Sequence, residues 1–206
     1  MTAQAEERFE LVGPFIVQVK TPDSHGSGGF VAPDLVVTAA HVIHPRDQVE
    51  PFAANRLRVI LRNGLELAVV ARLCHERWTA SFHATADMAV IRVAEPRPDL
   101  VLALAPLPLA KKRKVTITGF LEAPRTGTVI RIGGQNGRDI LQSNDLAFHE
   151  GVSGAPVTDA TGRALGVATR SPLAAMEGAF VGIPFLDNEQ ERNLARLIER
   201  CAQQDI

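Results

Sequence analysis

Three short segments of the chain carry residue types that together could perform nucleophilic catalysis. "VVTAAHVI" ends a strand-like run in His41, "ADMAVIRV" opens an apolar run with Asp87, and "GVSGAP" places Ser153 between glycines. A serine hydroxyl needs a base to accept its proton, a carboxylate to orient that base, and donors for the oxyanion. The three residues occur in the order His, Asp, Ser, one of the chain orders in which this triad is known. The pattern predicts acyl transfer, with Ser153 as nucleophile, His41 as base and Asp87 as the residue that orients it.

The glycines around Ser153 predict an oxyanion hole. Gly151 would let the backbone turn tightly enough for the N–H groups of Gly151 and Ser153 to point at one spot. Gly154 would keep the exit of that turn uncrowded. An ordinary turn without chemistry fits the same glycines, so the hexapeptide alone leaves both interpretations open. Its occurrence together with His41 and Asp87 favours catalysis.

The other histidines have no comparable surroundings in the sequence. An isolated histidine is more often structural than catalytic, and an aspartate that ends a loop is common. His44 follows His41 by three residues, but no carboxylate accompanies the two as in a helical zinc motif. We therefore expect no metal and no cofactor, and no catalytic role for the remaining five: His25, His44, His75, His83 and His149.

The composition favours one globular domain and excludes several classes of partner. The chain has 206 residues, of which 46% are hydrophobic and 22% charged, with a formal net charge of −1. This balance, with no tyrosine and one tryptophan, disfavours a nucleic-acid surface, and no apolar stretch is long enough to predict a membrane span. The segment "MTAQAEERFELVGPF" lacks the apolar run of a secretory signal, so a cytoplasmic location is expected. Cys74 and Cys201 follow no metal or redox spacing; reduced thiols are expected, and a single disulfide stays open.

The apolar segments predict an all-β fold. Short apolar runs are separated by Gly, Pro, Asn and Asp, as in an antiparallel barrel or sandwich, and Asn63-Gly64 predicts a hairpin. The residues from 187 to 202 have the apolar spacing of an amphipathic helix; we expect it to pack on its own barrel rather than on a partner. The predicted strands lie at 14–20, 28–32, 35–38, within 57–74, 88–93, 115–120, 127–134, 139–143, 155–159, 164–169 and 178–184.

Three motifs resemble those of trypsin-like serine peptidases. They are "TAAHV", "DMAVIRV" and "GVSGAPV", and "LQSNDLAFHEGVSGAPV" is similar to the HtrA-type branch of that superfamily. The resemblance implies two six-stranded antiparallel β-barrels of the chymotrypsin type with a C-terminal α-helix, and a catalytic cleft between the barrels. It implies a single domain over 1–206, divided into an N-terminal barrel (12–95), a connector (96–114), a C-terminal barrel (115–185) and a helix (187–202).

The resemblance also implies where a substrate side chain would bind. By position in the family pattern, the specificity pocket has Ala147 at its floor and Thr169, Arg170, Phe180 and Gly182 as walls. Ala147 offers no carboxylate to a basic side chain, so a small or medium apolar residue is expected before the scissile bond. Glu150, close by in sequence, could instead attract a basic side chain at the rim.

The expected substrate is a protein or peptide, and the expected activation needs no proteolytic cut. Val152 stands where digestive members of the superfamily have the aspartate that pairs with a freed N-terminal amine. The active form would be reached constitutively or when a regulatory protein partner orders the loops. No PDZ-like region follows the motifs, and the chain resembles compact bacterial peptidase domains linked to signalling or defence. Two alternatives stay open: a pseudo-peptidase that binds peptides without cutting, and an esterase using the same acyl chemistry.

Overall fold

The computed structural model describes most of the chain, with several gaps. The described residues are 12–81, 86–104, 114–121, 125–133, 140–143, 151–169, 179–182, 199–201 and 203. His41 lies in the first of these ranges, Asp87 in the second and Ser153 in the range 151–169. The residues preceding the serine, from 144 to 150, lie outside the described residues.

The first sheet is a closed antiparallel barrel of six strands. Its order is β1-β2-β3-β6-β5-β4, and β1 also pairs with β4, which closes the ring. β3 is buried along its whole length, because its apolar run "LVVT" has neighbours on both faces. The strands are β1 (Ile16–Lys20), β2 (His25–Ala32), β3 (Leu35–Thr38), β4 (Arg58–Ile60), β5 (Glu66–Cys74) and β6 (Ala89–Val93).

Two short helices interrupt this barrel. α1 (Ala40–Ile43) follows β3 after one extended residue, and α2 (Glu76–Ser81) connects β5 to β6. The sequence patterns did not predict either helix, because each is too short for a helical period to show. Three 3-10 turns complete the described connections, at Gly13–Phe15, Ala54–Arg56 and Pro98–Leu100.

The second sheet also has six antiparallel strands. Its order is β10-β11-β12-β9-β8-β7, and two residue pairs between β7 and β10 join its ends: Val157 with Ile117 and Thr158 with Thr116. The strands are β7 (Lys114–Ile117), β8 (Arg125–Gly133), β9 (Ile140–Ser143), β10 (Pro156–Thr158), β11 (Ala164–Ala168) and β12 (Ala179–Gly182).

A buried apolar cluster joins the two sheets. It combines residues of the first barrel with Ala164 and Val167 of β11 and with Cys201, which is fully buried. The Cys201 thiol lies 3.7 Å from the carbonyl oxygen of Val90 in β6. A C-terminal segment packs on the barrel in this way: residues 199–201 are helical, while most of the predicted helix at 187–202 lies outside the described residues.

The strand predictions are confirmed, and each predicted apolar segment overlaps a strand. The hairpin at Asn63-Gly64 is confirmed as well, because β4 pairs with β5 and Gly64 adopts a φ of +84°. Both cysteines are buried and free, so the open disulfide alternative was wrong. Within the described part of the chain, no helix is long and apolar enough to cross a membrane.

Candidate active site

His41 lies in the first turn of α1, at the edge of the first barrel. β3 ends at Thr38, and two fully buried alanines, Ala39 and Ala40, lead the chain into the helix. Small side chains let this corner pack against the barrel, while the side chain of His41 stays 24% exposed. The imidazole is therefore held by its surroundings and still reachable from solvent.

Asp87 orients this imidazole with both of its carboxylate oxygens. The backbone N of His41 donates to Oδ1 at 2.8 Å, and Nδ1 of the ring lies 2.7 Å from Oδ2. Asp87 is only 4% exposed and stands two residues before β6 begins. Because Nδ1 is engaged, Nε2 is the ring nitrogen that remains for proton transfer with another group.

A tryptophan that the sequence analysis did not single out packs beside His41. The ring centroids of Trp78 and His41 are 6.3 Å apart, with the planes tilted by 50°. Trp78 is 1% exposed, and its Nε1 donates to the carbonyl oxygen of His44 at 3.2 Å. The guanidinium of Arg46 lies 5.4 Å from the centre of the same indole. Trp78 thus places an aromatic ring beside the imidazole. The one signal in the sequence was that Trp78 is the only tryptophan.

The segment 151–155, which we call the nucleophile turn, is built around two glycines with positive φ. Gly151 has a φ of +88° and Gly154 a φ of +84°, values that other residues rarely adopt. The N–H of Ala155 donates to the carbonyl oxygen of Val152 at 2.9 Å and closes the turn. β10 begins directly after the turn, at Pro156, so Ser153 lies just before the start of this strand.

The nucleophile turn is bonded directly to the first barrel next to the histidine. The N–H of Ser27 in β2 donates to the carbonyl oxygen of Ser153 at 2.7 Å. A Cβ on Gly26 would lie 2.7 Å from Cγ2 of Val42 and 2.8 Å from the oxygen of Ser153. Gly26 therefore lies between the backbone of Ser153 and the side chain of Val42, which is the residue after His41. The structure thus bonds His41 to Asp87 and places the backbone of Ser153 near the helix that carries His41.

The predicted oxyanion hole consists of two backbone N–H groups of this turn. Among the described residues, no acceptor is found for the N–H of Gly151 or of Ser153. A Cβ on Gly151 would lie 3.0 Å from Nε2 of His25, so the turn passes close to this imidazole. His25, which the sequence analysis set aside, is exposed and borders the turn.

Only part of the predicted specificity pocket lies within the described residues. Thr169 is 4% exposed and directly follows β11, whose last residue, Ala168, accepts from Gly154 and donates to Ala155. Phe180 and Gly182 lie in β12, where they pair with Ala168 and Gly166. Thr169 thus follows the residue that bonds to the nucleophile turn, and Phe180 and Gly182 lie on the neighbouring strand of the sheet. The other two, Ala147 and Arg170, lie outside the described residues.

Within the residues that the structure covers, no group of three or more His, Cys, Asp or Glu side chains is arranged to hold a metal ion. The arrangement offers instead an oriented imidazole, a serine at a sharp turn and two backbone donors. These are the parts that acyl transfer requires.

Comparisons with known proteins show the family and the fold of the chain. The family model described as "Trypsin-like peptidase domain" matches residues 26–167. The solved structure of a Glu endopeptidase in complex with MPD is similar over 94% of this chain and 93% of its own, with a TM-score of 0.74 and 15% sequence identity. At that identity the likeness shows the fold alone, which is chymotrypsin-like. No curated protein matches the chain by sequence.

Proposed function

Because the chain belongs to the trypsin-like peptidase domain family, we propose that it is a serine endopeptidase whose catalytic residues are Ser153, His41 and Asp87. The observation that carries the proposal is the pair of hydrogen bonds between His41 and Asp87, beside a turn that presents Ser153. A histidine held through Nδ1 by a buried carboxylate is the arrangement that activates a serine.

The chemistry proceeds in two halves. Ser153 Oγ attacks the substrate carbonyl carbon while its proton passes to Nε2 of His41, and the carbonyl oxygen becomes an oxyanion. His41 then gives the proton to the leaving amine, the C–N bond breaks and an ester to Ser153 remains. Water attacks that ester with His41 again as base, and the bond to Oγ breaks with return of the proton. Asp87 stays ionised throughout and stabilises the imidazolium.

The oxyanion is stabilised by the N–H groups of Gly151 and Ser153. Both belong to the nucleophile turn, and neither has another acceptor among the described residues. Preorganised donors of this kind contribute to the rate because they need no rearrangement as charge develops; loss of one typically lowers kcat by roughly 10²- to 10³-fold.

The finer assignments belong to the same proposal. The chain has the complete two-barrel architecture with a C-terminal helix at 187–202 and resembles the HtrA-type branch. It acts in the cytoplasm on protein or peptide substrates, as part of a signalling or defence system. The motifs quoted above and the two six-stranded sheets support this. The specificity pocket selects a small or medium apolar residue before the scissile bond; its residues are Ala147, Thr169, Arg170, Phe180 and Gly182. The similar solved structure is that of a Glu endopeptidase. A peptide library that includes glutamate at this position therefore tests the preference.

A fluorophosphonate probe tests the proposal directly, since it labels an activated serine. The natural chain is expected to be labelled at one serine, and Ser153→Ala and His41→Ala are expected to lose labelling and about 10⁴- to 10⁶-fold in kcat with the fold intact. Ser81→Ala, which changes an exposed serine of α2, is the matched control and should keep the parental rate. Peptide binding by a folded chain that is never labelled would instead establish the pseudo-peptidase.

A further inference from the structure

Ser27 joins the nucleophile turn to the strand that leads to His41. We infer that Ser27 is a positioning residue for the oxyanion hole, holding the peptide groups of the nucleophile turn through its side chain and its backbone. The inference rests on the proposed function and extends it to a residue of the other barrel. Ser27 lies in β2 and is fully buried.

All the hydrogen-bonding groups of Ser27 are used. Its hydroxyl donates to the carbonyl oxygen of Gly151 at 2.6 Å and accepts from the N–H of Phe120 at 3.0 Å. Its N–H donates to the carbonyl oxygen of Ser153 at 2.7 Å, and its own carbonyl oxygen accepts from the hydroxyl of Thr38 at 2.7 Å. Ser27 is thus bonded to the carbonyl oxygens of the two residues that flank Val152.

These bonds act on the part of the turn that sets the direction of the two donors. The peptide between residues 151 and 152 lies between the two peptides whose N–H groups would bind the oxyanion. Because a peptide group is planar, fixing the oxygen of Gly151 restricts that whole plane. Gly151 has wide backbone freedom and a φ of +88°, so without such a bond the two N–H groups could diverge.

The two backbone bonds of Ser27, to Ser153 and to Thr38, connect the turn to the base. Thr38 is the last residue of β3 and precedes His41 by three residues. The carbonyl oxygen of Ser27 is therefore held by the strand that leads to the histidine. A Cβ on Gly154 would collide with both the Thr38 hydroxyl and the carbonyl oxygen of Ser27. The distance between base and oxyanion donors is therefore set through one buried serine.

A hydroxyl is needed at this position because the group must donate and accept at once. Alanine would leave the carbonyl of Gly151 and the N–H of Phe120 without their partner inside the protein, and a thiol is a weaker donor. A buried serine that only stabilised the fold would lose the same bonds. A purely structural role would change only the folded fraction, whereas a positioning role would also lower kcat per folded molecule, and that difference is the test.

The experiment compares Ser27→Ala with Thr158→Val in the full-length chain. Thr158 is 1% exposed, and its hydroxyl donates to the carbonyl oxygen of Thr116 between β10 and β7, so its loss removes a buried bond that does not involve the nucleophile turn. The measurements are kcat and KM on one peptide ester, the affinity for a peptide boronate that mimics the tetrahedral intermediate, and thermal unfolding to give the folded fraction.

Ser27→Ala is expected to lower kcat by about 10- to 100-fold per folded molecule with KM within about twofold, and to weaken the boronate by about the factor lost in kcat/KM. Thr158→Val should keep the parental kcat and KM per folded molecule and the parental affinity for the boronate. If Ser27→Ala does not fold, Ser27→Cys is the second variant and should shift the same parameters in the same direction by a smaller factor.

The inference is wrong if folded Ser27→Ala, or Ser27→Cys in its place, keeps kcat and boronate affinity within twofold of the parent. It is equally wrong if the Ser27 and Thr158 variants lose activity only in proportion to their folded fraction. A parental chain that is neither labelled by fluorophosphonate nor active on the ester would overturn the proposed function itself, and the positioning role with it.

Discussion

His41 is bonded to the carboxylate of Asp87 twice, through Nδ1 of its ring to Oδ2 at 2.7 Å and through its backbone N–H to Oδ1 at 2.8 Å. The two residues are 46 positions apart in the chain, and Asp87 is only 4% exposed. The backbone bond fixes where the helix α1 begins relative to the carboxylate, and the side-chain bond fixes the ring. Position and tautomer of the imidazole thus depend on one aspartate.

Replacing Asp87 by Asn should abolish most of the activity with little change in fold. The amide oxygen can still accept from the backbone N–H of His41, but the amide NH₂ then faces Nδ1 and favours the tautomer with the proton on Nε2. A histidine in that form cannot take the proton of Ser153, so kcat should fall by about 10⁴-fold. Steady-state kinetics and a thermal melt measure the two effects.

The control for this variant is Asp99→Asn. Asp99 is an exposed carboxylate paired with Arg97 at 2.7 Å, and it should be dispensable for turnover. An Asp87→Asn protein that turned over at the parental rate would exclude Asp87 from the proposed triad.

Gly154→Ala should be far more damaging than Gly64→Ala, although both glycines have a φ of +84°. A methyl on Gly64 meets nothing within 4 Å, so only the backbone conformation is penalised, by about 1 kcal/mol. A methyl on Gly154 would overlap the Thr38 hydroxyl and the carbonyl oxygen of Ser27. We expect Gly154→Ala to lower the unfolding temperature more and to lose fluorophosphonate labelling. Equal shifts in unfolding temperature would show that the contact with Thr38 is not tight.

Cys74 should make the protein less stable in alkaline solution. Burial is the main cause that raises the pKa of its thiol, to about 12 from 9.0. The unfolded thiol ionises above about pH 9 while the folded thiol stays protonated, so stability present below pH 9 is lost as the pH rises towards 12. The chain has no tyrosine to titrate in the same range. Cys74→Val should therefore retain on the order of 2 kcal/mol more of its unfolding free energy on going from about pH 8 to pH 10.5.

Urea titrations at the two pH values measure this difference. The same experiment on Ser81→Ala, which changes no thiol, should reproduce the alkaline loss of the parent. Parallel losses in the parent and in Cys74→Val would show that the buried thiol is not the titrating group.

An N-terminal fusion should leave the proposed active site intact. Val152 is 4% exposed and offers no charge to a buried amine, so pairing with a freed N-terminus would be costly. The N-terminal segment is instead held through the carbonyl oxygen of Gly13, which accepts from Nε of Arg62 at 3.0 Å. Arg62 also donates through Nη2 to the carbonyl oxygen of Gly119 at 3.0 Å, one residue before the N–H that binds Ser27.

A chain with an uncleavable fusion before Met1 should thus react with the fluorophosphonate as fast as the unfused chain. A chain that starts at Phe15 lacks the Gly13 oxygen and should react more slowly. The reverse result, an inert fusion that trimming to Phe15 restores, would establish activation by a freed N-terminus.

The sequence alone was sufficient wherever the cause is local. The short apolar runs predicted the strands because Gly, Pro, Asn and Asp between them favour turns, and Asn63-Gly64 predicted its hairpin because that turn needs a positive φ. "TAAHV", "DMAVIRV" and "GVSGAPV" identified His41, Asp87 and Ser153 as candidates. The structure bonds His41 to Asp87 and places the backbone of Ser153 near α1, but the catalytic role of the three stays a prediction.

The tertiary structure decided which residues support that site. Ser27 bonds to Gly151 across 124 positions, and nothing in "HGSGGF" distinguishes its hydroxyl from that of any other serine. Trp78 reaches His41 only because α2 lies between β5 and β6, and Gly26 is restricted only because Val42 and Ser153 converge on it. Such contacts follow from the register and closure of the sheets, which bring distant backbone groups within hydrogen-bond distance. Apolar runs and the turn residues between them determine which segments become strands, but partners so far apart in the chain are determined only when the strands pair.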